Sequence, residues 1–200
     1  NGGTTTVDTR IDFFQILNLD NATTANVCIG IQAKTNTMLA NITNTAIAKG
    51  TGYPTTGTLT TVYDYFVTSV NSLDKETAPS NVVEITDGSA TLSAITYHTI
   101  TWSAVTGASK YRVYCRVGGS TSSVIKVAEV TTNAYNDTGA MSSTNNIPWI
   151  NLTAIDSILS WSALSPGVGM DVLSRPLVLP KNDMLVLYTT GNISYYMSGE

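Results

Sequence analysis

The chain has 200 residues and a formal net charge of −4, and charged residues make up only 12% of it, about half the usual share. Ten Lys and Arg residues, scattered singly, give no basic stripe to neutralise phosphates, so nucleic acid is not an expected partner. No apolar run approaches the roughly 20 residues of a membrane-spanning helix, so a membrane is not expected either.

Asn1 opens the sequence, and NGGTTT lacks the basic and apolar regions of a secretory signal, so no signal peptide is visible, while removal of an upstream segment stays open. Residues 10–19, RIDFFQILNL, predict a half-buried strand with Ile11 and Phe13 on one phase and, after a shift, Ile16 and Leu17. Residues 20–24 read as a turn. The following NVCIGIQA alternates, with Val27, Ile29 and Ile31 on one face and Cys28 and Gly30 on the other, so the two segments are expected to pair as an antiparallel hairpin. Asp20 with Asn18 and Asn21 is the cluster most like a calcium site, and an Asx-turn explains it without a metal.

From 44 to 140, short strands alternate with turn signals at the spacing of a β-sandwich. Tyr63, Tyr65, Val67 and Ser69 share one parity and are expected to face the core or its rim. SLDKE at 72–76 turns the chain into a partner strand within PSNVVEIT, 79–86, and DGS at 87–89 is the next turn. Ile95, His98, Ile100 and Trp102 predict a strand, GAS at 107–109 leads into Tyr111, Val113 and Cys115, and Gly118 with Gly119 ends that run. Val124, Lys126, Ala128 and Val130 alternate against Ile125, Val127 and Glu129, and YNDTGA at 135–140 closes the module. Beyond it, Leu152, Ile155, Ile158, Leu159 and Leu164 fall near helical spacing, which makes 151–164 the best helical candidate. The ending LVLPKNDMLVLYTTGNISYYMSGE predicts strands joined by turns at 180–183 and 190–192.

Cys28 and Cys115, each in an alternating stretch, are expected as buried free thiols rather than as a disulfide. Asn21, Asn41, Asn136, Asn151 and Asn192 head Asn-x-Ser/Thr sequons of the kind that a chain rich in Asn and Thr holds by chance.

Two longer motifs carry a family resemblance. Gly57, Thr58, Leu59, Tyr63, Tyr65, Val67, Val70, Asn71, Glu76, Pro79 and Ser80 resemble the run G-T-L, Y-x-Y-x-V-T-A-V-N, G-E-T-x-P-S of fibronectin type III modules, with Ser69 in place of the usual Ala. Trp102, Ser103, Ala104, Val105, Gly107, Ala108, Tyr111, Val113 and Tyr114 resemble W-S-A-V-x-G-A-x-x-Y-x-V-Y, and Asp137, Thr138 and Gly139 its closing D-T-G. The order is permuted, with the usually late Y-x-Y strand placed before the usually early W-S-A-V strand. The rearranged module resembles one associated with tailed-phage particle proteins. The resemblance covers about half the chain and implies an inserted fibronectin III/Ig-like domain over 44–144, used for display or adhesion, with Tyr63 at the family's tyrosine corner.

Neither flank alone has strands enough to cover both faces of a sheet, so 1–43 and 145–200 are expected to join as a split β-sandwich attachment domain. Their opening ILNLDNATTANVCIGI and their ending are similar, more weakly, to small β-sandwich proteins of phage particles. The expected fold is therefore all-β, with two sandwiches.

Catalytic groups are sparse. His98, the single histidine, shares the parity of Ile100 and Trp102, has no hydrolase-type Ser or Cys motif around it, and is expected at the sandwich rim. One His and two separated Cys do not make a zinc site, which wants four N or S ligands, or three and a water. The alternating carboxylates Asp74 with Glu76 and Asp8 with Asp12 are explained by a turn and a strand face. Gly2-Gly3, Gly118-Gly119 and Gly167-x-Gly169 lack the Lys-Ser/Thr or strand-to-helix setting of a phosphate cradle. No catalytic, cofactor-binding or metal residue is assigned, no cofactor is implied, and an enzyme is not expected. Tyr53, Tyr114, Tyr195 and Tyr196 include exposed candidates for protein contacts or sugar stacking. The resemblance implies a non-enzymatic structural protein of a tailed-phage virion. That protein would be a capsid decoration or head-fibre protein that binds other virion proteins, capsid or tail, and copies of itself. The alternatives are a tail component or receptor-binding fibre adhering to a host-surface glycan or protein, and a bacterial surface adhesin.

Overall fold

The computed structural model describes residues 9–19, 23–32, 38–54, 59–120, 122, 125–144, 147–148, 151–154, 157–167, 169–171, 177–179, 184–190 and 193–199. Every regular element among them is a β-strand, and the strands pair antiparallel in four sheets. The chain divides into two compact units, residues 1–37 with 154–200, and residues 38–153. These boundaries lie outside the 44–144 span marked by the motifs. Hydrogen bonds explain the difference: Leu39 N–H donates to Thr153 Oγ1 at 2.9 Å, Asn151 Nδ2 to the Leu39 carbonyl at 2.7 Å, and Leu152 N–H to the Glu76 carbonyl at 2.8 Å. Ile42, moreover, is part of the 38–153 core.

In the 38–153 unit, β3 (Ala46–Lys49), β6 (His98–Thr101) and β9 (Ala134–Asp137) form a sheet in the order β3-β6-β9. A second sheet, ordered β10-β8-β7-β4-β5, holds β4 (Thr61–Val70), β5 (Val83–Gly88), β7 (Lys110–Val117), β8 (Ile125–Val130) and β10 (Ser142–Thr144). The two sheets share one core. Tyr63, Tyr65 and Val67 of β4 and Tyr111, Val113 and Cys115 of β7 meet Ile100 of β6 and Trp102 just beyond it.

Ten residues rich in β-branched and aromatic side chains make β4, and it takes the interior position between β7 and β5. Its core-facing parity, including Ser69, is as the alternation predicts, yet every residue from Tyr63 to Val70 is buried. The opposite parity is covered too: Phe66 stacks on Tyr114 with ring centroids 5.3 Å apart, and Thr68 donates to Glu76. The turn after β4 is held by Asn71, whose Oδ1 accepts the N–H groups of Leu73 and Lys75, while Asp74 takes a left-handed φ of 61°. Ile95, expected on the His98 strand, lies before β6 and is 68% exposed.

In the other unit, β1 (Thr9–Asn18) pairs with β12 (Gly169–Asp171), β13 (Leu177–Leu179) and β15 (Ile193–Gly199). β2 (Ala25–Gln32) lies between β11 (Ser157–Leu164) and β14 (Met184–Thr189). Ile16 meets Val27, Ile29, Leu164 and Leu179 in its core.

Three expectations are corrected here. β1 and β2 do not form a hairpin: they belong to different sheets, and each takes its partners from the C-terminal stretch. Buried Asn18 fastens that crossing, donating through Nδ2 to the carbonyls of Thr23 at 3.0 Å and Leu164 at 2.8 Å. The helical candidate is strand β11 from Ser157 onward, because a helix there would leave one backbone edge of β2 without hydrogen-bond partners. Leu17 is 39% exposed while Ile16 is fully buried, and the register shift in β1 lies between Ile11 and Phe13. The final strands also alternate between sheets, β13 and β15 on β1 and β14 on β2. The turn predicted at 180–183 lies outside the described residues, as does most of the one at 190–192.

Candidate functional site

The densest grouping of buried polar side chains lies in the core of the 38–153 unit and surrounds the one histidine. His98 opens β6 directly opposite Asp137 on β9, and Tyr65 reaches both from β4 in the facing sheet. Tyr65 Oη is 2.8 Å from His98 Nδ1 and 2.7 Å from Asp137 Oδ2. On the other side of the ring, Tyr53 Oη is 2.9 Å from Nε2 and accepts the Ser89 N–H at 2.5 Å. Asp137 Oδ1 accepts the Gly139 N–H at 2.8 Å, and Gly139 has the left-handed φ of 89° that this Asx-turn needs. Tyr63 packs edge-on against the imidazole, with centroids 4.7 Å apart.

His98 is therefore not at the rim, as its parity suggested. It is 0% exposed, as is Tyr65, while Asp137 is 2% exposed. Burial lowers the His98 pKa to about 4, although the Asp137 carboxylate opposes the shift. Burial also pushes the Tyr65 hydroxyl far above the usual tyrosine range, Tyr63 up to about 12 and the Cys115 thiol up to about 12. The two tyrosines and the thiol hold their protons at neutral pH, the imidazole is neutral, and His98 and Tyr65 are fully enclosed. The arrangement acts as a polar strut between sheets.

Two tyrosines latch turns through their hydroxyls. Tyr63, expected at the tyrosine corner, donates at 2.7 Å to the Ser89 carbonyl, far downstream rather than a few residues upstream. Tyr111 makes the upstream contact instead, its oxygen accepting the Val105 N–H at 2.9 Å across the Gly107 turn.

On the opposite face of β4 and β7, the carboxylates of Asp74 and Glu76 converge on Arg112. Its Nη1 is 2.8 Å from Glu76 Oε2 and its Nη2 2.9 Å from Asp74 Oδ1. Lys110 bridges Asp74 and Glu129 at 2.8 Å each, and Tyr114 donates to Glu76 Oε1 at 2.7 Å. Hydrogen bonds from Lys110 hold Asp74 and Glu129 below the ordinary carboxylate range, and Glu76 and Asp74 raise Arg112 against the opposing effect of burial. Both carboxylates of the pair are engaged by cations, which makes the grouping an ion-pair cluster. Beside it, Lys110, Glu129, Val130, Thr131 and Thr132 line an open depression of about 330 Å³.

The remaining sequence candidates are dispersed. Cys28 and Cys115 are buried free thiols. Asn18 is occupied as described above, and Asp20 and Asn21 lie outside the described residues, as do Asp8, Gly2 and Gly3. Gly118, Gly119 and Gly167 have left-handed φ angles and occupy turns. Among the described residues no group of three or more His, Cys, Asp and Glu could hold a metal ion. Tyr53 and Tyr114 are buried, and Tyr195 is 58% exposed.

The sequence reading missed Tyr53, Tyr65 and Asp137 as partners of His98. The available signal was a histidine and an aspartate in core-facing positions of β-strands, where a polar side chain requires a partner. Comparison with known proteins yields no match, whether to family models, to curated proteins or to solved structures.

Proposed function

We propose that the chain is a non-enzymatic structural component of a tailed-phage virion, a capsid decoration or head-fibre protein. The unit built from both chain ends binds the particle, and the 38–153 unit is a permuted fibronectin III/Ig-like domain displayed from it. The observation that carries the reading is strand pairing. If β6, β7, β8 and β9 are read as the second, third, extra and fifth strands of such a domain, and β4 and β5 as the sixth and seventh, the sheets become A-B-E, with β3 in the place of A, and C′-C-F-G, with β10 as one further strand beside C′. The permuted order of the motifs calls for that outcome, since β4, first of these in the chain, must lie between β7 and β5.

Two features support the role. The histidine and its partners are committed to the core, and the cations and carboxylates of the ionic cluster are engaged with one another. A surface of low charge density also loses little desolvation energy when it docks by area.

The test is to mix the purified chain with empty expanded heads and, separately, with tails of a tailed phage, and to image both. Saturable, regularly spaced occupancy on heads is expected. Binding to tails alone shifts the assignment to a tail component, and binding to neither rejects the virion role.

A further inference from the structure

We infer that Tyr53, His98, Tyr65 and Asp137 form an acid-released latch inside the 38–153 unit, which holds the segment after β3 to both of its sheets. Tyr65 belongs to the five-stranded sheet, His98 and Asp137 to the three-stranded one, and Tyr53 to that segment.

The order of protons follows from counting hydrogens. The Tyr53 oxygen accepts the Ser89 N–H at 2.5 Å, and its neighbour at 2.9 Å is His98 Nε2, so the hydroxyl proton is donated to Nε2. Nε2 is then an acceptor, which places the imidazole proton on Nδ1. Nδ1–H donates to the Tyr65 oxygen at 2.8 Å, and the Tyr65 O–H donates to Asp137 Oδ2 at 2.7 Å. The chain of donation ends on a carboxylate that also accepts the Gly139 N–H. Reversing it, with protons on Asp137 and on Nε2, leaves the Tyr53 hydrogen without an acceptor in a buried site. Only the first order satisfies every group.

A second proton on the ring breaks this order at one place. An imidazolium donates from both nitrogens, so Nε2–H converts the Tyr53 hydroxyl from donor to acceptor and strands its hydrogen. The groups around the ring are Asp137 on β9, Tyr63 and Tyr65 on β4, Asp87 on β5, Lys49 on β3, Tyr53, and Cys115 against Tyr65. Asp137 and Asp87 favour the charged ring; Lys49, whose ammonium lies 4.9 Å from the Tyr53 ring centroid, disfavours it. Burial outweighs them and keeps the ring neutral down to about pH 4. Protonation therefore loosens Tyr53 and the Ser89 amide that it accepts, while Nδ1–H stays on Tyr65.

The test is NMR on the ¹⁵N-labelled full chain. At pH 7 His98 is expected to show a protonated Nδ1 and an unprotonated Nε2. On acidification the ring should titrate near pH 4 rather than near 6.5, and the protection factor of the Ser89 amide should fall about tenfold through the same midpoint. Tyr53→Phe removes the acceptor of that amide, so Ser89 should be weakly protected at pH 7 and show no further acid step. A proton on Nε2 at pH 7, a midpoint near 6.5, or Ser89 protection that ignores the His98 midpoint each overturns the latch. If Tyr53→Phe does not fold, the wild-type tautomer and the Ser89 protection decide between the same outcomes.

Discussion

A fully enclosed histidine ties stability to pH in a direction that its surroundings set. The unfolded chain binds a proton at His98 near pH 6.5, and the folded chain only near pH 4. Between those values the unfolded state holds more protons, so stability is complete above pH 6.5, falls as the pH drops toward 4, and loses nothing more from this group below that. The full loss is about 3 kcal/mol, which urea titrations at pH 7, 5 and 4 would read; a flat profile over that window contradicts the burial of a neutral ring. Asp74 and Glu129, depressed by Lys110, act in the same sense but at lower pH, since their contribution disappears only as the carboxylates themselves protonate. Tyr65→Phe is the sharper change at this scale. It deletes one oxygen yet leaves both the His98 Nδ1–H and the Asp137 Oδ2 without a partner, so a loss of about 2–4 kcal/mol is expected in the same titration at pH 7. By comparison, Glu76→Gln keeps acceptors for Tyr114 and Thr68 but removes the charge facing Arg112, and about 1–2 kcal/mol is the expected cost.

At the scale of elements, the contact of β4 with β5 depends on a glycine. A Cβ at Gly88 would lie 2.6 Å from the Thr61 carbonyl oxygen and 2.6 Å from the Tyr63 ring, where the register of the two strands shifts. Gly88→Ala must displace backbone or the ring whose hydroxyl holds Ser89, and a destabilisation of about 1–3 kcal/mol in thermal unfolding is expected. Strands such as β4 and β7 were legible in the sequence because an interior strand with aromatic and β-branched residues on one parity shows its core face directly: Tyr63, Tyr65 and Val67, or Tyr111, Val113 and Cys115. Partner choice was not legible. Residues 10–19 and 26–33 look like hairpin arms, and only the distant β11 to β15 reveal that each arm has better partners elsewhere. The helical spacing of Leu152 to Leu164 misled for the same reason, since strand or helix there is decided by the open edge of β2. The candidate site was half legible. Parity placed His98 on the face shared with Ile100, but parity does not say what covers a face, and here Tyr53, Tyr63 and Tyr65 cover it completely.

For the molecule as a whole, the separate cores make a prediction about which parts of the chain can be removed. Among the described residues, the core around Tyr65, Ile100 and Val113 draws only on residues 38–153, and the core around Ile16, Val27 and Ile29 only on the two flanking stretches. The chain enters and leaves the 38–153 unit at adjacent points, because Leu39 N–H bonds Thr153 Oγ1 at 2.9 Å and Asn151 Nδ2 bonds the Leu39 carbonyl at 2.7 Å. A short Gly-Ser bridge in place of 38–153 therefore replaces a unit whose own ends are adjacent, and should add little loop-closure entropy. The bridged chain should keep a cooperative thermal transition and the slow amide exchange of β2, whose both edges stay paired by β11 and β14. Residues 38–153 alone should fold as well, because among the described residues none of their sheet partners lies outside that span. If only the 38–153 piece folds, the terminal stretches depend on the unit between them and are not a domain of their own. If neither folds, the two cores form one cooperative system, and an attachment unit separable from a displayed one is ruled out.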